Sequence, residues 1–298
     1  MLRRNVLIFH NAALGDFVMT WPVAMAVGRV LAQSRIIYVT AAQKGLLAER
    51  LIRVEYNDIE NGWHALHQET PSLGDVPTKL LKSMQMAIVF SQTRDERFLG
   101  NLQRVAGDVP VLHLSPNPPA GVHVWRHQLD QLESSPMLRN AVEQVQKVVA
   151  EQGVMGIAAA SKAKQVMIHP GSGAERKNWP IEQFIEAAKR IKETGRQPVF
   201  TLGEVERERL SGSVVERMRS VGEVRYCDTT PALFDAIASS VAYLGNDSGP
   251  THLAAVMAKR VVAMFGPTSD VASWRPMGPF VKVLPFETSP EQVVAALA

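Results

Sequence analysis

Cysteine is almost missing from this chain: Cys227 is the only one in 298 residues. An intrachain disulfide and a cysteine-based metal cluster are both excluded, and a reducing compartment is expected. No apolar run approaches the ~20 residues that a membrane span needs. The run at 6–9, behind the basic start Met1-Leu2-Arg3-Arg4, is interrupted by His10-Asn11 and is too short for a signal peptide. The expected location is therefore cytoplasmic. Charge of one sign is not in excess either. With 32 basic and 29 acidic side chains the formal net charge is +3, too balanced to mark a nucleic-acid binder. Common phosphate-loop motifs fail as well, since Gly171-Ser172-Gly173 lacks the third glycine of a dinucleotide fingerprint and no Gly-Lys-Ser/Thr occurs. No Asp-x-Asp pair sits in a suitable loop, and His64 and His67 have no third ligand nearby, so no metal or other cofactor is required.

What is present is an alternation of short apolar runs with helical periodicity. Runs at 6–9, 35–40, 86–90 and 109–114 read as strands, with helical stretches at 17–31, 43–51 and 122–149. Pro22 must start the first of these late or kink it. A second series follows: strands at 165–169, 198–202, 221–226, 241–244 and 261–265, with helices at 181–192, 204–220, 231–239, 253–258 and 290–297. Parallel βαβ units follow from this order, and the length suits two domains. We expect an α/β protein of two Rossmann-like doubly wound domains facing across a cleft. The domains are 1–155 and 156–298, with a Gly- and Ala-rich linker at 151–164 and a last helix that could pack back on the first domain.

One stretch has a chemical reason at nearly every position: Gly245-Asn246-Asp247-Ser248-Gly249-Pro250-Thr251-His252-Leu253. It is a strand-to-helix corner, with Pro250 in the first helical turn, where a missing N–H costs nothing. Such a corner points free N–H groups and a positive dipole end at an anion. Gly249 permits close approach, while Ser248 and Thr251 add hydroxyl donors. Asp247 would repel a diphosphate, so it should aim past the phosphates at hydroxyls. The plainer alternative is that Asp247 or Ser248 caps the helix and His252 packs.

Taken together, Asp247-Ser248-Gly249-Pro250-Thr251-His252-Leu253-Ala254-Ala255 and Phe265-Gly266-Pro267-Thr268 resemble the signature of glycosyltransferase family 9, the heptosyltransferases of lipopolysaccharide core assembly. Leu14-Gly15-Asp16-Phe17-Val18-Met19-Thr20-Trp21-Pro22 is similar to the family's N-terminal Gly-Asp…Thr-x-Pro motif, whose aspartate serves as catalytic base. Helix capping is the other role open to Asp16. Pro170-Gly171-Ser172-Gly173, followed by Lys177-Asn178-Trp179-Pro180, resembles the family's Pro-Gly-Ser-Gly…Lys-x-Trp-Pro element, in which the lysine binds the donor's phosphates. On its own Lys177 would read as a solvated charge. Gly203-Glu204-Val205-Glu206-Arg207 looks like the loop whose glutamate contacts the nucleoside ribose, with Glu206 the better aligned; exposed helix is the alternative.

The resemblance implies a GT-B fold and an inverting transfer of a sugar, heptose from ADP-heptose above all, to a lipopolysaccharide core or related glycan acceptor. The first domain would carry the base and the acceptor, and the second would bind the nucleotide sugar. Asp16 is then catalytic, and Ser172, Lys177, Glu206, Asp247, Ser248, Gly249 and His252 bind the nucleotide sugar. The expected partners are the nucleotide sugar and a lipid-linked or glycan acceptor, with no nucleic acid. Peripheral contact with the inner membrane is a further expectation, because relatives use lipid acceptors. Arg94, Arg97 and Arg104 read as a solvated face that could also meet acceptor phosphates. Two rivals stand beside this reading: a nucleotide-sugar epimerase or hydrolase of the same architecture, and a non-catalytic nucleotide-sugar-binding protein.

Overall fold

The computed structural model describes residues 4–154 and 164–298. The expected boundary after residue 155 and most of the expected 151–164 linker lie outside the described residues. The chain divides into two compact units, Met1–Lys147 and Val148–Ala298.

The first unit holds five parallel strands: β1 (Asn5–Phe9), β2 (Arg35–Thr40), β3 (Glu55–Asp58), β4 (Met84–Phe90) and β5 (Val111–Leu114), in the order β3-β2-β1-β4-β5. β1 is buried along its length, as a strand covered by helices on both faces must be. β3 has no such signature in sequence. It lies at an edge, is only partly buried, and sets Glu55 against Arg35 of the neighbouring strand. The periodicity at 17–31 resolves into two helices, Leu14–Met19 and Trp21–Val30, with Pro22 in the first turn of the second. Thr20 marks the break, its hydroxyl 2.7 Å from the Phe17 carbonyl and 2.8 Å from the Tyr38 hydroxyl. Leu7, Phe9, Val39, Trp63 and Phe98 belong to the core on one side of the sheet.

The second unit holds β6 (Gln165–His169), β7 (Gln197–Leu202), β8 (Glu223–Tyr226), β9 (Ala242–Asn246), β10 (Arg260–Phe265) and β11 (Val281–Pro285). All pair in parallel, in the order β11-β10-β9-β6-β7-β8. The helix Ile181–Glu193 buries Phe184, Ala187, Ala188 and Ile191, the stripe a period of 3.6 predicts. The charged stretch at 204–220 is two helices rather than one, Glu204–Arg209 and Gly212–Val221. Ser211 leaves the helical conformation between them and accepts the Val214 N–H as an N-cap. The last helix, Pro290–Ala296, packs on Ile181–Glu193 within its own unit and adds Val293 to that unit's core.

In each sheet the strand order reverses beside the unit's first strand, between β1 and β4 and between β6 and β9. Helices leave to opposite faces at such a point, which opens a crevice at the carboxyl ends of the strands.

Candidate active site

At the second reversal lies a cavity of about 250 Å³, lined among others by His169, Ser172, Gly203, Glu206, Ser248 and Gly249. These come from the ends of β6, β7 and β9, so three sequence segments that read separately as ligand loops meet at one place. Gly249 begins the helix Gly249–Val256, and Ser248 stands at its N-cap without a side-chain cap bond. Pro250, at the second helical position, has no N–H, and the Thr251 N–H is answered by the Ser248 carbonyl at 3.1 Å, so the Gly249 N–H is the donor this turn can offer an anion.

Hydroxyl donation at this corner differs from expectation. Thr251 is fully buried and gives its proton to the Asn246 carbonyl at 2.6 Å. The Ser248 and Thr251 hydroxyls lie 3.1 Å apart, so Ser248 supplies the proton of that second bond and must turn away to serve a ligand. Thr251 holds the corner's shape instead of offering a donor to the cavity. His252 is buried in the first turn of the helix, 3 % exposed.

Lys177 is not a solvated charge. Its Nζ lies 2.8 Å from Asp247 Oδ2, and the Ser269 hydroxyl donates to the same oxygen at 2.9 Å. Asp247 is 7 % exposed and Lys177 about a third exposed, so the ammonium is partly open to solvent while its countercharge is buried; neither residue belongs to the cavity lining itself. Glu206 is likewise buried rather than on an exposed helix, 8 % exposed, with Oε2 accepting the Gly203 N–H at 2.9 Å. Ser172 is buried, its hydroxyl 2.7 Å from the Ala174 carbonyl and 2.6 Å from Asn178 Oδ1, which tightens the loop after β6.

Asp16, in the first unit, occupies the first turn of Leu14–Met19 behind an N-cap that is Ala13, so it does not serve as that cap. Lys44 is its charged neighbour. The Lys44 ammonium also donates to the Ala12 carbonyl at 2.6 Å and to Asn11 Oδ1 at 3.3 Å, tying down the loop that leads into the Asp16 helix. Burial pulls the Lys44 pKa down and Asp16 pulls it up, burial being the stronger cause. His10, 3 % exposed at the end of β1, is pushed down to about 3 by burial and by Lys44.

The first reversal has its own cavity, about 320 Å³, lined at the ends of β1 and β4 by His10, Phe90 and Ser91 and roofed by Ile59, Trp63 and Leu99. No lysine or arginine belongs to this lining. Arg94 is instead exposed and paired with Glu96 at 2.7 Å. His67 hydrogen-bonds Asp95 at 2.8 Å. Among the described residues no group of three His, Cys, Asp or Glu side chains is placed to hold a metal ion, and no helix is long and apolar enough to cross a membrane.

Three contributors escaped sequence reasoning. Asn246, fully buried, accepts the Trp179 N–H at 2.8 Å and donates to the Pro170 carbonyl at 2.7 Å, clamping the Lys177 loop to the end of β9. Lys44 stands beside Asp16, and His169 faces Glu206 at 4.0 Å. A polar residue closing a buried strand, as Asn246 and His169 both do, was the available signal; Lys44 offered none.

A family model described as glycosyltransferase family 9 (heptosyltransferase) matches residues 122–294. Among solved structures, ADP-heptose lipopolysaccharide heptosyltransferase II of E. coli is 17 % identical, with a TM-score of 0.72 over 98 % of this chain and 97 % of that one. A family 9 glycosyl transferase from Veillonella parvula is 16 % identical, with a TM-score of 0.70 over 99 % and 97 %. UDP-GlcNAc 2-epimerase from Methanocaldococcus jannaschii is more distant, 12 % identical with a TM-score of 0.52 over 98 % and 91 %. No curated protein matches by sequence. At these identities the structural likeness establishes the fold, two Rossmann-like units of the GT-B type. The family model spans more than half of the chain, and with that the chain belongs to glycosyltransferase family 9.

Proposed function

We propose that this protein is a cytoplasmic inverting glycosyltransferase that moves a sugar, heptose from ADP-heptose, to a hydroxyl of a lipopolysaccharide core or related glycan acceptor. The observation that carries the reading is the corner after β9: a helix start whose N-cap side chain makes no capping bond and the Lys177 ammonium paired to Asp247 in that corner, beside a cavity that also holds a buried carboxylate. A diphosphate needs the first two and a ribose the third.

In this mechanism Asp16 takes the proton of the acceptor hydroxyl as its oxygen attacks the anomeric carbon. The bond from that carbon to the diphosphate breaks on the opposite face, inverting the centre, and the electron pair leaves with the nucleoside diphosphate. Lys177 and the helix N-terminus at Ser248-Gly249 offset the charge that builds there, and His252 adds a hydrogen bond. Asp247 holds sugar hydroxyls, Glu206 the ribose, and Ser172 keeps the phosphate loop in shape. The cavity at the first reversal combines apolar residues such as Trp63, Phe90 and Leu99 with the carboxylates Glu60 and Asp95 and has no lysine or arginine, which favours an acceptor that presents no anionic group there.

Calorimetric titration with ADP-, GDP-, UDP- and CMP-linked sugars tests the donor, with ADP-heptose expected to bind tightest. Product formation with a lipopolysaccharide-core acceptor tests the reaction. Asp16→Ala should lower turnover by ~10²–10⁴-fold while donor affinity stays, the usual share of a general base; unchanged turnover would refute the mechanism. Free sugar or an epimerised nucleotide from donor alone would favour the hydrolase or epimerase reading, for which the shared fold of the epimerase speaks. Donor binding without any product would leave a binding protein. Vesicle flotation tests the membrane contact.

A further inference from the structure

His169 closes β6 and lines the same cavity as Glu206, yet the transfer described above gives it no task. Its side chain is 9 % exposed, and that of Glu206 is 10 % exposed. Nδ1 of His169 lies 2.9 Å from the Thr201 carbonyl. A carbonyl oxygen can only accept, so Nδ1 carries the proton, and in the neutral ring Nε2 is a bare acceptor. Burial pushes this imidazole toward its neutral form, more strongly than Glu206 and the Thr201 carbonyl pull the other way. Across the gap, 4.0 Å from Nε2, stands Glu206 Oε1, while Oε2 is already engaged by the Gly203 N–H. Two acceptors face each other at the cavity wall with no protein proton between them.

From this we infer that His169 and Glu206 together read a vicinal diol, Nε2 accepting from one hydroxyl and Oε1 from its neighbour, so that His169 is a specificity-determining residue for the donor's ribose. The inference rests on the nucleotide-sugar reading of this cavity. Solvent water brings two protons and can satisfy both acceptors. A ligand that displaces water without reproducing its bonds loses affinity. A lone hydroxyl brings one proton and strands the other acceptor in a buried place, whereas a cis diol brings two and leaves neither unmet. The position is also rigid. Glu206 packs against Gly171 so closely that a Cβ there would fall 1.8 Å from Oε1.

The test measures dissociation constants for ADP, 2′-deoxy-ADP and 3′-deoxy-ADP at neutral pH, with GDP, UDP and CDP as base controls, on the full chain and on His169→Phe and His169→Gln. The full chain should prefer ADP over each deoxy analogue by ~10-fold, the usual size of one lost bond plus one stranded acceptor. His169→Phe should erase the preference over one analogue and keep it over the other, and His169→Gln, which retains an acceptor, should restore part of it. Equal weakening of all three ligands by His169→Phe would mean that the histidine merely packs, and would overturn the inference. So would an unmodified chain that binds ADP and both analogues alike, whatever the variants do. If none of the four diphosphates binds the unmodified chain, the donor reading itself fails and takes this inference with it.

Discussion

Lys177 and Asp247 meet at 2.8 Å, and under the proposed function this pairing decides how an incoming diphosphate is received. The phosphates must draw the ammonium from a carboxylate that is itself nearly buried, so the two residues affect binding with opposite sign. Lys177→Met should weaken ADP by ~10-fold or more, since charge-assisted bonds contribute about 1.5–3 kcal/mol. Asp247→Asn should tighten bare ADP and weaken the intact nucleotide sugar, because it removes both a repelling charge and a hydroxyl acceptor. Equal shifts for the two ligands in calorimetry would show that Asp247 never touches the sugar. His10 carries a different prediction. Its pKa falls from 6.5 in the unfolded chain to about 3 in the fold, so the unfolded state binds the extra proton between those values. Stability from this group is complete above pH 6.5 and is lost as pH falls toward 3, at up to about 1.4 kcal/mol per pH unit. Urea titrations from neutral pH downward should show a shallower decline for His10→Gln than for the parent chain.

At the scale of elements the site depends on loops being held against strand ends. Asn246 does this for the loop after β6 through two buried bonds to backbone groups. Asn246→Ala leaves the Trp179 N–H and the Pro170 carbonyl unanswered, at about 1–3 kcal/mol for each. A lowered melting temperature together with weaker ADP binding is expected, because the same loop carries Lys177. Gly171 acts by its lack of a side chain. Gly171→Ala would force Glu206 off the Gly203 N–H and should cost roughly 1–3 kcal/mol as overpacking. ADP affinity should fall with it, measured on protein whose circular dichroism is unchanged.

For the whole molecule the division into two compact units sets the expectation for unfolding. Each unit has its own sheet and its own core, so scanning calorimetry should resolve two transitions. ADP at 100 times its dissociation constant stabilises the state that binds it by ~2.7 kcal/mol, and only the transition of the second unit should move. Leu7→Ala, in the fully buried β1, should instead lower the other transition by about 2–5 kcal/mol of stability. A ligand that shifts both transitions equally would show that the units do not unfold independently.

Much of this was legible in the chain. Central strands covered on both faces must be apolar throughout, so β1, β2, β4 and β10 show themselves as runs, and the corner at Asp247–Gly249 shows itself because a strand must stop there and a helix begin. Edge strands are half solvated and carry a weaker constraint: β5 and β8 still show as short runs, whereas β3 and β11 have no apolar run to mark them and were not foreseen. The motifs of a glycosyltransferase family were readable as local words. Which of their side chains are free to meet a ligand was not, because a hydroxyl or a charge has several partners available and only packing chooses among them. Thr251 turned inward to the Asn246 carbonyl, Lys177 met Asp247, and Glu206 was buried opposite His169. The first is set by how the corner after β9 turns; the other two join residues whose closeness depends on parallel strands ending side by side, a distance that exists only once the sheet has formed.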